Sequence, residues 1–98
     1  MRFGITEAQA AGAVRLEIMG ELDILTAPKF ATELNTIVRR SHQDIVVDLR
    51  QADFLDSAGL QILLGAQRRL SHDGRKLKVV CDEGPVRRVI ELTRLEEA

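Results

Sequence analysis

A serine at the predicted start of a helix is the residue of this 98-residue chain best suited to chemistry. Residues 53–60 read Asp-Phe-Leu-Asp-Ser-Ala-Gly-Leu, and the apolar residues that follow recur with the spacing of a helix. If Asp56 caps this helix, Ser57 occupies the first helical position with a free hydroxyl that a kinase could phosphorylate. On local physics alone, a plain helix cap is the commoner role of an Asp-Ser pair.

A phosphate on Ser57 would bring about −1.5 to −2 charges to the helix N-terminus. The helix dipole and the free amides favour that charge, whereas the carboxylate of Asp56 repels it. The sequence therefore predicts that phosphorylation leaves the fold intact and changes the charge and shape of the surface offered to a partner.

Alternating strand and helix patterns surround this serine. Residues 13–19 alternate apolar and charged side chains and predict a strand that stops at Gly20, preceded by a short edge strand over residues 2–6. The β-branched run at 44–49 predicts a central strand, and residues 76–81 predict a further one. Four strands are therefore expected.

Three helices are expected between and after these strands. Thr26 is predicted to cap the first, which ends near Arg40, and Asp56 or Ser57 begins the second, which ends at the stop signal of residues 73–74. Gly84-Pro85 opens the third, through residue 93. The element order predicts one α/β domain over residues 1–98, with a mixed four-stranded sheet, parallel crossovers and about three to four helices.

Gly65 lies inside the second predicted helix, where glycine is less stable than alanine by roughly 1 kcal/mol. We expect a close approach to the sheet as the reason.

Composition argues against several classes of function. The formal net charge is −1 and the only aromatic residues are three phenylalanines, so neither a basic surface for nucleic acid nor a base-stacking platform is expected. No apolar run is long enough to span a membrane and no signal-peptide core follows residue 1, which predicts a soluble cytoplasmic protein.

Cys81 is the only cysteine, so neither an intrachain disulfide nor a thiolate zinc site is expected. The Cys81 side chain is predicted to be a small buried hydrophobe. His42 and His72 are predicted surface residues, and no cofactor or metal is expected.

Two catalytic or signalling alternatives are disfavoured by the motifs. The chain has neither a Gly-x-Ser-x-Gly elbow nor a phosphate-binding glycine-rich loop, so we expect that it is not an enzyme. Asp48 lies in an apolar strand like the phosphate acceptor of a receiver domain, but no acidic pair follows the earlier strand to bind magnesium. Asp48 is therefore predicted to be structural.

A second motif adds specificity to the first. Residues 20–23, Gly-Glu-Leu-Asp, follow the second predicted strand and precede the proline-initiated helix. Together with residues 56–60, Asp-Ser-Ala-Gly-Leu, and with Pro-Val-Arg-Arg-Val-Ile-Glu-Leu-Thr at 85–93, this pattern resembles the STAS family, the sulfate transporter and anti-sigma factor antagonist domains. The resemblance covers nearly all of residues 3–93.

The resemblance implies an anti-sigma factor antagonist that works by partner switching. The unphosphorylated form would bind an anti-sigma factor, a serine kinase of the histidine-kinase-like ATPase fold, and so release a sigma factor for transcription. The kinase would phosphorylate Ser57, and a metal-dependent serine phosphatase would reset it. The partner surface implied by the resemblance comprises Gly20, Glu21, Leu22, Asp23, Asp56, Ser57, Ala58, Gly59 and Leu60.

The chain departs from the family pattern in two places. Many members carry a second serine where this chain has Ala58, so Ser57 is the single acceptor of the motif. Members also usually continue beyond Ala98 into a closing segment and have a glycine in place of Arg94. Gly20 and Gly59 could serve only the backbone conformation and not partner binding. Glu21 and Asp23 could likewise belong to a turn that is simply solvated.

The sequence leaves a second function open. A STAS-like subunit could dock constitutively onto a transporter or signalling scaffold, with Ser57 serving only as a cap. Either kind of protein could be a monomer or a weak dimer.

Overall fold

The computed structural model of the protein describes residues 3–98 and shows an α/β fold built on a single five-stranded sheet. The elements in chain order are β1 (Gly4–Ala10), β2 (Ala13–Leu22), α1 (Ala27–Arg40), β3 (Asp44–Leu55), α2 (Ser57–His72), β4 (Leu77–Val80), α3 (Pro85–Glu91) and β5 (Glu96–Glu97). The strands lie side by side in chain order, with β1 antiparallel to β2 and the remaining pairs parallel. The predicted α/β class and parallel crossovers are confirmed, but the sheet has five strands rather than four.

The period-two pattern of β2 separates two faces of the sheet. Leu16 and Ile18 are buried, whereas Glu17 and Met19 between and after them are exposed. The buried side chains form one core with the apolar stripes of all three helices. The opposite face carries exposed and ion-paired side chains, so all three helices lie on one side of the sheet.

The two central strands are longer than the sequence predicts. β2 does not stop at Gly20, because the backbone passes this residue with a φ of 91° and a register shift between Gly20 and Glu21. Glycine adopts this left-handed conformation without the steric cost of a side chain. β3 likewise continues past residue 49, since it pairs with the extended β2 until Leu55 lies opposite Leu22. Both strands therefore end at the same edge of the sheet.

The first strand is also longer than the predicted 2–6. β1 runs from Gly4 to Ala10, and Gly12 makes the turn into β2 with a φ of 73°. Arg2, the first residue of the predicted strand, lies outside the described residues.

The fifth strand is the part of the fold that the sequence did not predict. Leu95 is buried in the core, and the backbone amide of Ala98 donates to the carbonyl of Val79 at 2.9 Å. Two ion pairs flank this edge, between Lys78 and Glu96 at 3.5 Å and between Arg87 and Glu97 at 3.2 Å. A buried leucine therefore anchors β5 on β4. α3 ends at Glu91, two residues before the predicted end, and Thr93 closes the turn that follows by bonding to the carbonyl of Ile90.

The reason predicted for Gly65 is wrong. A Cβ added at Gly65 would meet only Nη2 of Arg68, at 3.9 Å, so no sheet residue lies close to it. The close approach occurs one turn and a half earlier on α2, where a Cβ on Gly59 would lie 2.6 Å from Cγ of Leu22 and 2.9 Å from Cδ1 of Leu55. Gly59 thus allows α2 to sit directly on the ends of β2 and β3.

Candidate functional site

Ser57 is the first residue of α2, and its side chain is exposed. Asp56 precedes it in an extended conformation and caps the helix as predicted, because its Oδ1 accepts hydrogen bonds from the amides of Ala58 at 2.9 Å and Gly59 at 3.3 Å. Within residues 3–98 no protein group bonds the Ser57 hydroxyl. The acceptor position is therefore fixed by a capped helix while its hydroxyl faces outward.

Parallel pairing brings the two sequence motifs together. Leu22 lies opposite Leu55 at the ends of β2 and β3, and the amide of Asp56 donates to the carbonyl of Leu22 at 3.2 Å. Because parallel strands end at the same edge, the turn that follows β2 lies beside the start of α2. Glu21 and Asp23 thus share the edge of the sheet that carries Ser57.

Asp23 organises the turn between β2 and α1. Its Oδ1 accepts from the amides of Leu25 at 2.9 Å and Thr26 at 3.1 Å. Thr26 does not cap α1 with its side chain, contrary to the prediction. Its hydroxyl instead donates to the carbonyl of Glu21 at 2.7 Å and accepts from the amide of Asp23 at 2.9 Å. The Thr26 hydroxyl therefore stabilises the turn between β2 and α1 instead of capping the helix.

The predicted partner residues divide by burial. Gly20, Leu22 and Gly59 are buried, so their part is to hold the backbone and not to present side-chain surface. Glu21 and Ser57 are exposed, and the remaining predicted residues are partly exposed: Asp23, Asp56, Ala58 and Leu60. The accessible part of the site is accordingly a ridge of polar and small side chains supported by a buried leucine and two glycines.

Exposed apolar side chains flank this ridge, and sequence reasoning missed them. Ile24 and Leu25 are 73% and 76% exposed in the turn after Asp23, and Phe54 is 46% exposed at the end of β3. Ile24 and Ala58 line the same shallow depression between the N-termini of α1 and α2. Such clusters are typical of protein interfaces. The available signal was an Ile-Leu pair placed in a turn, where polar residues are the rule.

The edge of the sheet around Ser57 is acidic. Six carboxylates lie at or just after the carboxyl ends of β2, β3 and β4: Glu21, Asp23, Asp53, Asp56, Asp82 and Glu83. We call this group the acidic end. A phosphate on Ser57 would add to a negative surface, and the Asp56 carboxylate already occupies two amides at the helix N-terminus that could otherwise receive it.

Asp48 is a structural residue, as predicted. Its carboxylate is buried and accepts hydrogen bonds from Arg50 at 2.8 to 3.2 Å and from Arg15. The bonds from the Arg50 side chain, its amide and the Arg15 side chain outweigh the opposing effect of burial and lower the pKa of Asp48 to about 2. Cys81 is half-buried against the core rather than fully buried, and burial raises the pKa of its thiol.

Among residues 3–98 no three His, Cys, Asp or Glu side chains converge in an arrangement that could hold a metal ion. None of the helices in this part of the chain is both long and apolar enough to cross a bilayer.

The fold and the capped serine define a STAS domain. The family model described as "Mlab, STAS domain" matches residues 5–97. This chain belongs to the STAS family. It is 27% identical over 82 residues to an anti-sigma-B factor antagonist of Staphylococcus aureus strain NCTC 8325 / PS 47. The aligned region covers 84% of this chain and 76% of that protein. Over 85 residues it is 29% identical to an anti-sigma F factor antagonist of Paenibacillus polymyxa, covering 86% of this chain and 73% of that protein.

Solved structures share the fold over nearly the whole chain. An anti-sigma factor antagonist from Mycobacterium paratuberculosis superposes with a TM-score of 0.86 at 26% identity, over 99% of this chain and 87% of that one. The unphosphorylated form of the anti-sigma factor antagonist SpoIIAA superposes with a TM-score of 0.76 at 18% identity, again over 99% and 87%. At that identity the second likeness concerns the fold alone.

Proposed function

We propose that this chain is an anti-sigma factor antagonist whose binding to an anti-sigma factor is switched by phosphorylation of Ser57. The observation that carries the proposal is the exposed Ser57 hydroxyl at the first position of a helix that Asp56 caps. The relatives named as antagonists of anti-sigma factors support the partner class. The proposed partner is a serine kinase of the histidine-kinase-like ATPase fold, which would place the switch in the cytoplasm with its ATP.

The proposed reaction takes place on the kinase. The Ser57 Oγ attacks the γ-phosphorus of ATP, the bond from that phosphorus to the oxygen bridging to ADP breaks, and a base of the kinase takes the hydroxyl proton. A metal-dependent serine phosphatase would then direct water onto the phosphorus, releasing inorganic phosphate and restoring the hydroxyl. This chain contributes the acceptor and its placement.

The surroundings of Ser57 favour dissociation after phosphorylation. Exposed Ile24 and Leu25, in the turn that lies beside the start of α2, supply apolar contact area that a partner would cover in the unphosphorylated state. A doubly charged phosphate cannot be neutralised by the helix amides that Asp56 occupies, so it would stay solvated and oppose closure of that interface. Because the α2 cap does not involve Ser57, the fold would persist in both states.

Binding of Ser57 variants tests the proposal. Immobilised wild-type chain and Ser57→Ala should both retain a protein of the histidine-kinase-like ATPase fold from a lysate of the native host, quantified by mass spectrometry. Ser57→Asp should lose that protein. Ser71→Asp is the matched control, because Ser71 is an exposed serine near the opposite end of the same helix and its substitution should leave binding unchanged.

The alternative is a constitutive docking subunit of a transporter or scaffold, in which Ser57 has no switching role. It predicts the same retained partners for Ser57→Ala and Ser57→Asp. That result would contradict the proposed switch.

A further inference from the structure

The α1/α2 groove is a second recessed surface, distinct from the ridge that carries Ser57. It has a volume of about 470 Å³ and is open to solvent along the seam between the two helices. Its lining has an apolar part, which we call the floor, made of Ala31, Ile62 and Gly65, and a polar part, which we call the rim, made of Asn35, Arg68, Arg69 and His72. Gly65 adds no side chain to the floor, which leaves space in the groove at this position.

The fold does not require the glycine that keeps this groove open. Gly65 does not have a positive φ, and a Cβ added there would meet only the guanidinium of Arg68, at 3.9 Å. Glycine in a helix interior is less favourable than alanine by roughly 0.5–1 kcal/mol. The chain therefore gives up helix stability at a position where packing would accept a side chain, and the visible consequence is the depth of the groove.

The rim of the groove is cationic. Arg68 and the nearby Arg39 make no ion pair with another described residue, and Arg69 bonds only to the amide oxygen of Asn35. An adjoining depression shares Arg69 and adds Arg39 and His42 at the same end of the molecule, together with Arg75, which is paired with Asp73 at 2.7 Å. Cations in the last turns of α1 and α2 also interact favourably with the helix dipoles, but that role does not explain why residue 65 is a glycine.

We propose that the α1/α2 groove binds an acidic segment of a partner protein. An apolar side chain of that segment packs over Gly65 against Ala31 and Ile62, and its carboxylates pair with Arg68 and Arg69. The combination of an apolar floor with a cationic rim selects this chemistry, since a free phosphate or a nucleic-acid backbone would leave the floor uncovered.

The groove and the serine ridge are physically continuous. The apolar depression that contains Ile24 and Ala58 shares Ala31 and Ile62 with the groove. A bound segment could therefore extend towards Ser57 without a break in the surface. The proposal does not depend on the phosphorylation switch, because Ser57 is not among the residues that line the groove.

Titration of the ¹⁵N-labelled full chain with synthetic peptides tests the proposal. The probe is a short peptide with leucine and glutamate on one helical face, compared with peptides in which every glutamate is glutamine or every leucine is alanine. The glutamate–leucine peptide should shift the amide resonances of Ala31, Ile62, Gly65 and Arg68. Each altered peptide should bind about fivefold or more weakly, and binding of the first should weaken as salt rises.

Variants of the chain separate the two parts of the groove. Gly65→Met fills the floor with the side chain of a good helix former. It should weaken binding of the peptide by about tenfold without lowering the unfolding midpoint of the protein. The double variant Arg68→Gln, Arg69→Gln should weaken peptide binding by about fivefold. The double variant Arg88→Gln, Arg94→Gln is the matched control, because both arginines are exposed outside the groove and their loss lowers the net charge by the same two units.

Several outcomes would overturn the proposal. These are equal binding of the glutamine peptide, unchanged binding to Gly65→Met, or shifts of the same amides at lower concentrations of duplex DNA or inorganic phosphate. Shifts that grow with protein concentration alone would assign the groove to a second copy of the chain. Ser57→Asp should retain peptide binding within about twofold, so failure here and failure of the switch are distinguishable.

Discussion

Asp48 shows how one buried carboxylate stabilises the open face of the sheet. It lies within β3, is almost fully buried, and accepts hydrogen bonds from the guanidinium groups of Arg15 and Arg50. A buried charge is tolerated only when it is paired and hydrogen-bonded, which these two arginines accomplish. Its place in the fold is thus structural, although an aspartate in a central strand resembles a phosphate acceptor in sequence.

Asp48→Asn should destabilise the protein by about 1–3 kcal/mol at pH 7, because two guanidinium groups lose their carboxylate partner. The native pKa of about 2 lies below the usual aspartate value of about 4, so the native state binds fewer protons and the stabilisation is present above pH 4. It is lost as the pH falls towards and through 2. Urea unfolding across this range should show the variant and the wild type converging.

Asp53→Asn provides the control for that measurement, since Asp53 is exposed in the same strand and its substitution should change stability by less than about 0.5 kcal/mol. A loss for Asp48→Asn that is independent of pH would contradict the ion-pair account.

At the scale of elements, helix α2 carries two glycines with opposite structural meaning. Gly59 is buried where α2 crosses the ends of β2 and β3, and its missing Cβ makes room for Leu22 and Leu55. Gly65 faces the α1/α2 groove, where a Cβ meets only one guanidinium nitrogen. The same substitution at the two positions therefore separates close packing from open space.

Gly59→Ala should destabilise the protein by about 1–3 kcal/mol, because the new methyl group overlaps two buried leucines. Gly65→Ala should stabilise it by about 0.5–1 kcal/mol through helix propensity alone. Chemical denaturation of the two variants beside wild type measures both effects. Equal shifts in the same direction would show that α2 does not lie on the sheet as described.

Periodicity predicted the elements better than their ends. The alternation of residues 13–19 and the helical spacing after Ser57 identify β2 and α2 directly. β3 could not be extended from sequence, because its register shifts break the period-two pattern after residue 48. β5 has only two residues, too few for a pattern, and exists through pairing with β4 and the burial of Leu95.

The candidate site was predicted in its polar part and missed in its apolar part. Asp56 caps α2 and lies beside the turn at Asp23, as the two motifs indicate. The exposure of Ile24 and Leu25 depends on where the turn points, which local sequence does not encode. The same limit explains Gly59 and Gly65, since glycine in a helix does not reveal what its empty side faces.

At the scale of the whole molecule, charge is separated between the two ends of the sheet. The acidic end surrounds Ser57, whereas the opposite end carries cations at the C-termini of α1 and α2, among them Arg39 and Arg69, which form no ion pair within residues 3–98. The net charge of −1 conceals this separation. A partner that approaches Ser57 therefore meets a negative surface before it makes contact.

If the proposed kinase presents a positive surface to the acidic end, its association with this chain should be steered by charge. The association rate should fall by about tenfold or more between low ionic strength and 0.5 M salt, while the dissociation rate changes little. Stopped-flow or surface-binding kinetics can measure both. Asp53→Asn at the acidic end should slow association, and Glu33→Gln, which neutralises an exposed carboxylate on α1, should not. A salt-independent association rate would exclude steering by the acidic end.

The most direct test of the central claim is the phosphorylation state of Ser57 in the native host. Trypsin releases residues 51–68 as one peptide, and Ser57 is its only serine, with no threonine or tyrosine beside it. Intact-mass spectrometry followed by mapping of this peptide should reveal one phosphate that phosphatase removes and that Ser57→Ala never acquires. A phosphate found only elsewhere, or none under any growth or stress condition, would contradict the switch and favour the constitutive subunit.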